Sequence, residues 1–294
     1  MDYFIHILIF ICIYVILTIS MNLLVGFTGL LSLAHAAFYG VGAYVAALMA
    51  LRVHSPFWLN MILAIVAAGA IGALLGLPSL RVKDDYFAIA TFAFQVIVFS
   101  VLNNLNDFTG GPMGLPGIPA VQVFGLTFSE EWHYLILVVL LAAVTYFVAR
   151  RIVKSPFGRV LRAIREDEVF ARAFGKDVAA FKVKVFVAGA SMAAVAGVMY
   201  AHYISFIDPT SFTIMESIFI ISIVIIGGAG NIRGSIVGAA VLVAIPEALR
   251  FLGLPTALAA NIRQILYGLL LVVFMLWRPQ GFLGEYSFQR ETEG

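Results

Sequence analysis

The sequence predicts an all-α polytopic transmembrane bundle, and three observations carry that prediction. Of 294 residues, 62% are hydrophobic and only 12% charged, about half the charge of an ordinary water-facing chain, and the mean hydropathy is +1.03. Several apolar runs reach the roughly 20 residues that cross a bilayer as a helix. None shows the alternating pattern of barrel strands, so the spans satisfy their backbone polar groups as helices.

Apolar runs fall near residues 4–25, 33–51, 57–78, 86–104, 132–150, 183–203, 214–228, 234–252 and 259–277. The first, within MDYFIHILIFICIYVILTIS, has no basic leading region and no small-residue cleavage site, so it reads as a retained helix. Cys12 is the lone cysteine, which excludes an intrachain disulfide. A plain count gives nine spans with the N-terminus outside. Glycines interrupt the runs at GFTGLLSLAHAAFYGVGAY and IIGGAGNIRGSIVGAA, so broken or re-entrant helices allow eight to ten. Arg81, Lys83, ten basic residues within 150–184, Arg233, Arg278 and Arg290 all fall on one side of this count, with Arg52 and the helix-end residues Arg250 and Arg263 as exceptions on the other. Short-loop basic residues mark the cytoplasm, so the C-terminal tail, 278–294, is cytoplasmic and the turn-rich loop before Trp132 faces outward. The chain divides no further than one transmembrane domain, 1–294, with a charged loop, 151–182, inside it.

That loop, RRIVKSPFGRVLRAIREDEVFARAFGKDVAAFKVK with its flanks, is helix-patterned. Ser155 followed by Pro156 is a start signal, a capping hydroxyl and then a residue whose missing donor costs nothing at the first turn. Phe157, Val160, Leu161, Ile164, Ala171 and Phe174 recur at helical spacing, with Arg159, Arg162 and Arg165 off the stripe. Glu166, Asp167 and Glu168 then precede Val169, Phe170, Ala173 and Phe174, where acids suit the positive end of a second short helix, and Gly175 stops it. A positive-inside anchor or a helix resting on anionic lipid headgroups would account for the basic residues. Three adjacent acids would be repelled by anionic lipid, which favours a protein partner.

The two glycine stretches resemble each other, Gly26, Gly29, Gly40 and Gly42 leading to Ala43 as Gly227, Gly228, Gly230, Gly234 and Gly238 lead to Ala239. A weak internal repeat follows. Close helix packing explains such small residues, and so does the lining of a translocation path at a repeat interface. His35, within the first stretch, is an intramembrane ionisable residue, read either as a path residue or as an imidazole bonded to a neighbouring helix. Glu216 opens an apolar run and is expected at the outer interface.

No chemistry is encoded beyond this. A nucleotide-binding loop needs G-x-x-x-x-G-K-[ST], and Gly175-Lys176 is followed by Asp177 without the upstream glycine. His6, His35, His54, His133 and His202 are scattered without metal-ligand spacing. No catalytic residue, metal site, cofactor or nucleic-acid partner is expected.

Five ordered blocks, NLLVGFTGLLSLAHAAFYGVGAY, LPSLRVKDDYFAIATFAF, FTGGPMGLPGIP, SPFGRVLRAIREDEVFARAFG and IVIIGGAGNIRGSIVGAA, resemble the permease subunits of ABC importers for branched-chain amino acids. The similarity favours the member of the permease pair with the longer outward loop. It implies a multi-pass protein of a bacterial-type inner membrane that works with a second, homologous permease, two cytoplasmic ATPase subunits and an extracytoplasmic binding protein. It also implies that Arg165, Glu166, Asp167, Glu168, Val169, Phe170, Arg172, Phe174 and Gly175 couple to the ATPase. In the comparable loop of other ABC importers a glutamate and two alanines stand six residues ahead of a glycine. Here Glu168 is seven ahead of Gly175 and is followed by Val169 and Phe170, so the similarity rests on this family's own pattern. An amide or urea substrate fits the same apolar path. A secondary transporter or channel would call for paired intramembrane acids, which the centres of these runs lack.

Overall fold

The computed structural model describes residues 2–79, 84–123, 126–128, 130–250 and 280–283, with residues 265, 268, 269, 272, 273 and 276. In chain order the helices are α1 (Asp2–Thr28), α2 (His35–Leu48), α3 (Phe57–Ser79), α4 (Asp84–Asn104), the single turn α5 (Asn106–Thr109) and α6 (Glu131–Lys154). They continue as α7 (Pro156–Glu166), α8 (Glu168–Ala173), α9 (Val178–Ile204), α10 (Ile214–Gly227) and α11 (Ile232–Arg250). The all-α polytopic architecture is therefore the observed one.

Among the described residues six helices are long and apolar enough to span a membrane, namely α1, α2 with its π-helical extension, α3, α4, α6 and α9. The runs at 214–228 and 234–252 are not two independent spans. They form a helix pair bent by 118° at a short break, which makes a seventh span if counted as one. The 14 residues of α10 rise about 21 Å, short of the roughly 30 Å of hydrocarbon, so this arm cannot cross alone. Gly228 and Gly230, at φ 118° and 84°, turn the chain between the arms. The run at 259–277 lies largely outside the described residues, as do Arg81, Lys83 and most of the tail.

Packing is set by small residues. A Cβ on Gly42 would lie 2.4 Å from the Ala194 carbonyl oxygen, and one on Gly197 would lie 2.1 Å from that of Tyr39, so α2 and α9 touch backbone to backbone. Gly69 and Gly72 bring α3 against Ser191 and Ala190 of the same α9. Around this centre α1 packs on α6, α9, α10 and α11, and its inner face from Ile9 to Phe27 belongs to one continuous core.

The charged loop folds at the end of the bundle where α1 and α6 finish and α9 begins. Residues 281–283 return to this same end, with the Phe282 and Leu283 amides donating to the Ile226 and Gly227 carbonyls at 2.8 and 3.1 Å. At the opposite end β1 (Leu115–Pro116) pairs antiparallel with β4 (Phe206–Ile207), in the register Leu115 with Ile207 and Pro116 with Phe206. The hairpin of β2 (Gln122–Val123) and β3 (Leu126–Thr127) lies beyond it.

Candidate functional site

The charged end is a folded substructure. Ser155 caps α7, accepting from the Gly158 amide at 3.3 Å, and Pro156 takes the first helical position. Leu161 and Ile164 turn inward, and Ile164, Ala171 and Val178 form a small core of their own. Asp167 breaks the chain and caps α8, accepting from the Phe170 amide at 2.9 Å. The three acids are thus divided: Glu166 closes α7, Asp167 is the cap, and Glu168 alone sits in the first turn of α8. The division follows from the extended backbone of Asp167, φ −153° and ψ 106°, which ends one helix and starts the next. Gly175, at φ 71°, stops α8 in the left-handed conformation open to glycine.

Glu168 anchors α8 to α9. Its carboxylate accepts from Lys182 Nζ at 2.7 Å and from Arg172, one turn along the helix. Burial pushes the Glu168 carboxyl up, but Lys182 and then Arg172 outweigh that and hold it below the ordinary glutamate value. Val169, Phe170 and Phe174 remain 77%, 60% and 68% exposed, with the two rings 4.6 Å apart. Phe170 and Phe174 line a groove of about 430 Å³ together with Pro156, Arg159, Val160, Ala163 and Lys176. An apolar knob of this size beside an apolar groove, ringed by charge, is a docking geometry.

Arg165 points the other way. Its guanidinium donates to the Gly26 carbonyl at the end of α1, and its stem lies against Gly29, which holds φ 76°. From Asn22, one turn earlier on α1, the side chain reaches the bent pair: its oxygen accepts from the Gly230 amide at 2.9 Å, and its amide donates to the Asn231 carbonyl at 3.0 Å and Ser235 Oγ at 2.7 Å. Gly227 and Gly234 face each other across the bend, each where a Cβ would fall 2.3–2.4 Å from the other's carbonyl oxygen. Gly40 packs on the Phe212 ring, at 2.9 Å for an added Cβ. The two glycine stretches therefore meet at the charged end through Gly26 and Gly230, whereas Gly40 and Gly42 pack deeper in the bundle.

His35 is fully buried at the start of α2, its Nε2 2.7 Å from Ser20 Oγ of α1. Beside it the Ala36 and Ala37 amides donate to Ser217 Oγ and Gln95 Oε1, at 2.9 and 2.7 Å. Glu216 is not at an interface. Its carboxylate accepts from the Tyr14 hydroxyl at 2.7 Å, and Tyr14 lies near the middle of α1. The placement follows from the segment before α10, which returns into the bundle until the Phe212 carbonyl accepts from Gln95 Nε2 at 2.7 Å. Asn22, Gln95 and Lys182 carry contacts that spacing did not single out, although Asn22 and Gln95 stand out as amides inside apolar runs. Among the described residues no group of three or more His, Cys, Asp or Glu could hold a metal ion.

Among the described residues, six helices long and apolar enough to span and a bent helix pair mark a multi-pass membrane protein. The chain belongs to the family described as branched-chain amino acid transport system / permease component, whose sequence model matches residues 3–275. It is 37% identical over 294 residues to the high-affinity branched-chain amino acid transport system permease protein LivM of Salmonella typhimurium, covering 92% of this chain and 68% of that protein. LivM of Escherichia coli shows the same identity and coverage. LivH of Escherichia coli is 28% identical over 298 residues, covering 94% of this chain and 93% of its own. The similarity is therefore of the LivM type. No solved structure matches.

Proposed function

We propose that this chain is the LivM-type permease of an ABC importer that moves branched-chain or related hydrophobic amino acids across a bacterial-type inner membrane. Family membership along 3–275 carries the reading, and the exposed knob at the charged end supports it. The charged end faces the cytoplasm, as does the C-terminus, because basic short loops are retained on that side. A LivH-type permease completes the pathway, a binding protein delivers substrate to the turn-rich outer loop, and two ATPase subunits seat on 151–182. ATP hydrolysis belongs to those subunits. Their closure moves α7 and α8, and Arg165 passes the motion to α1 and the bent pair, so that the bundle alternates between outward and inward access. Gly29, Gly40, Gly42, Gly227, Gly228, Gly230 and Gly234 serve as close-packed joints along that path.

The test is reconstitution of the chain with the permease, ATPase and binding-protein genes beside it, followed by uptake of radiolabelled leucine, isoleucine, valine, urea and a short amide. ATP-dependent uptake of the branched-chain set is expected. Uptake without ATP would make the protein a secondary transporter or channel, and uptake of the amide or urea alone would change the substrate class.

A further inference from the structure

His6, Phe10 and Tyr14 recur at one-turn spacing on α1, and each meets a polar or aromatic group from α9 or α10. His6 Nδ1 lies 2.7 Å from the Tyr203 hydroxyl. Phe10 packs edge-on against Tyr200 and Tyr203, with centroids at 6.2 and 6.0 Å. Tyr14 donates to Glu216 and meets Phe219 edge-on at 5.3 Å. All of these side chains are half-buried on the surface of the subunit. At its loop end the seam opens into a cavity of about 390 Å³ to which His6, Tyr134, His202 and Tyr203 contribute.

Depth decides what this seam faces. Tyr14 is 12 residues into the 27-residue α1, about 18 Å along a helix of about 40 Å, so Glu216 lies near the middle of the bilayer. A carboxyl at that depth on a residue only partly covered by the subunit does not face acyl chains, which give a charge no solvation. Among the described residues no basic group pairs with it, and its carboxylate is met by a neutral hydroxyl. The aromatic wall leading to it suits an aliphatic side chain, and aromatic faces also attract an ammonium ion. A branched-chain amino acid carries both groups on one carbon.

We propose that the seam between α1, α9 and α10 is this subunit's wall of the substrate path and that Glu216, held by Tyr14, receives the α-ammonium group of the passing amino acid. The inference rests on the amino-acid reading above. Charge complementarity selects the ammonium end, and the continuity of the seam with the loop-end cavity selects a mobile substrate over a fixed lysine of the second permease.

The experiment uses the complete reconstituted transporter and radiolabelled leucine. Glu216→Gln should lower uptake by about tenfold or more, the worth of one hydrogen bond to a charged group, while assembly and substrate-free ATP hydrolysis persist. Glu216→Asp should retain more uptake than Glu216→Gln. In the wild-type complex, dicyclohexylcarbodiimide, which modifies carboxyl groups in apolar surroundings, should label Glu216, and leucine with its binding protein should slow the labelling. This second measurement decides the matter if Glu216→Gln fails to assemble. Uptake by Glu216→Gln within twofold of wild type, or labelling indifferent to leucine, overturns the inference. Labelling blocked with and without leucine assigns the carboxylate to the second permease and overturns it too. A wild-type complex that imports no branched-chain amino acid removes the amino-acid reading itself, a result distinct from normal uptake by both wild type and variant.

Discussion

Replacing Phe170 and Phe174 together with alanine tests the docking end most directly. The rings are 60% and 68% exposed. With roughly 200 Å² per phenylalanine, about 120–140 Å² of each remains to be covered, equivalent to about 3 kcal/mol each at 25 cal/mol per Å². Ordering and desolvation on association reduce such sums, and truncated interface anchors more often cost about 1–3 kcal/mol. The pair should therefore weaken ATPase association by about 2–6 kcal/mol, roughly 30- to 25,000-fold. Neither ring belongs to the cores packed among the helices, so insertion and membrane level should hold. The assay is co-purification of the ATPase subunits at matched permease levels, with substrate-stimulated ATP hydrolysis as second readout. Full association together with full uptake would refute the reasoning, and the charged loop would then be an anchor against misorientation and no more.

Arg165→Cys in a Cys12→Ala background should be labelled by an impermeant maleimide from the cytoplasmic side alone; labelling from outside would reverse the topology. Gly42→Leu and Gly230→Leu should each abolish assembly or uptake, because a Cβ at Gly42 already falls 2.4 Å from the Ala194 carbonyl oxygen and Gly230 holds φ 84°. Intact transport by the double variant would remove both the packing and the pathway roles. Asn22→Ala leaves the buried Gly230 amide without its partner at about 1–3 kcal/mol, and should lower the melting temperature of the complex and separate ATP hydrolysis from uptake. The contact of Glu168 with Lys182 is made by a carboxylate held below its ordinary value of 4.5, so its stabilisation is complete above that pH and is lost only as pH falls through the depressed value. Protection of the α8 amides, corrected for the intrinsic pH dependence of exchange, should stay level from pH 8 to 5 and fall as pH drops through the depressed value, a fall that Glu168→Gln should abolish.

The fold class was legible because membrane solvation acts on whole segments, and six of the runs appear as spanning helices within a few residues. The bent pair was not, since α10 and α11 are each as apolar as a span. Only the length of α10 and the left-handed glycines between the arms separate a half-helix from a crossing helix, and hydropathy reports neither. In the charged loop, the Ser155 cap, the Gly175 stop and the exposed Phe170 and Phe174 follow from local chemistry, which short-range pattern carries well. The Lys182 partner of Glu168 is 14 residues away on another helix, beyond any local rule. Glu216 illustrates the same limit. An acid that opens an apolar run is ordinarily interfacial, and its depth became visible only through Tyr14, 202 positions earlier.

The charged end and the Glu216 carboxyl are joined by a short series of rigid contacts. Arg165 holds the Gly26 carbonyl, and a Cβ on Gly26 would strike the Gly230 amide nitrogen at 2.4 Å, so the end of α1 and the glycine bend move together or separate outright. Asn22 closes the same joint with hydrogen bonds to residues 230, 231 and 235, and the Phe282 and Leu283 amides hold its far side through the Ile226 and Gly227 carbonyls. From that bend α10 runs about 21 Å as one helix, placing Glu216 in the first turn at its other end. Contact alone does not make coupling; coupling needs an element with two arrangements that both sites bias. The candidate for such an element is α10, hinged at Gly228 and Gly230, which hold φ 118° and 84°. A displacement of α8 at the knob, carried through α7 and Arg165 to Gly26, would tilt α10 about the 227–230 bend and shift Glu216 against Tyr14. On the proposed reading, an ATPase at one end would thereby change the surroundings of a carboxyl group at mid-membrane without touching it.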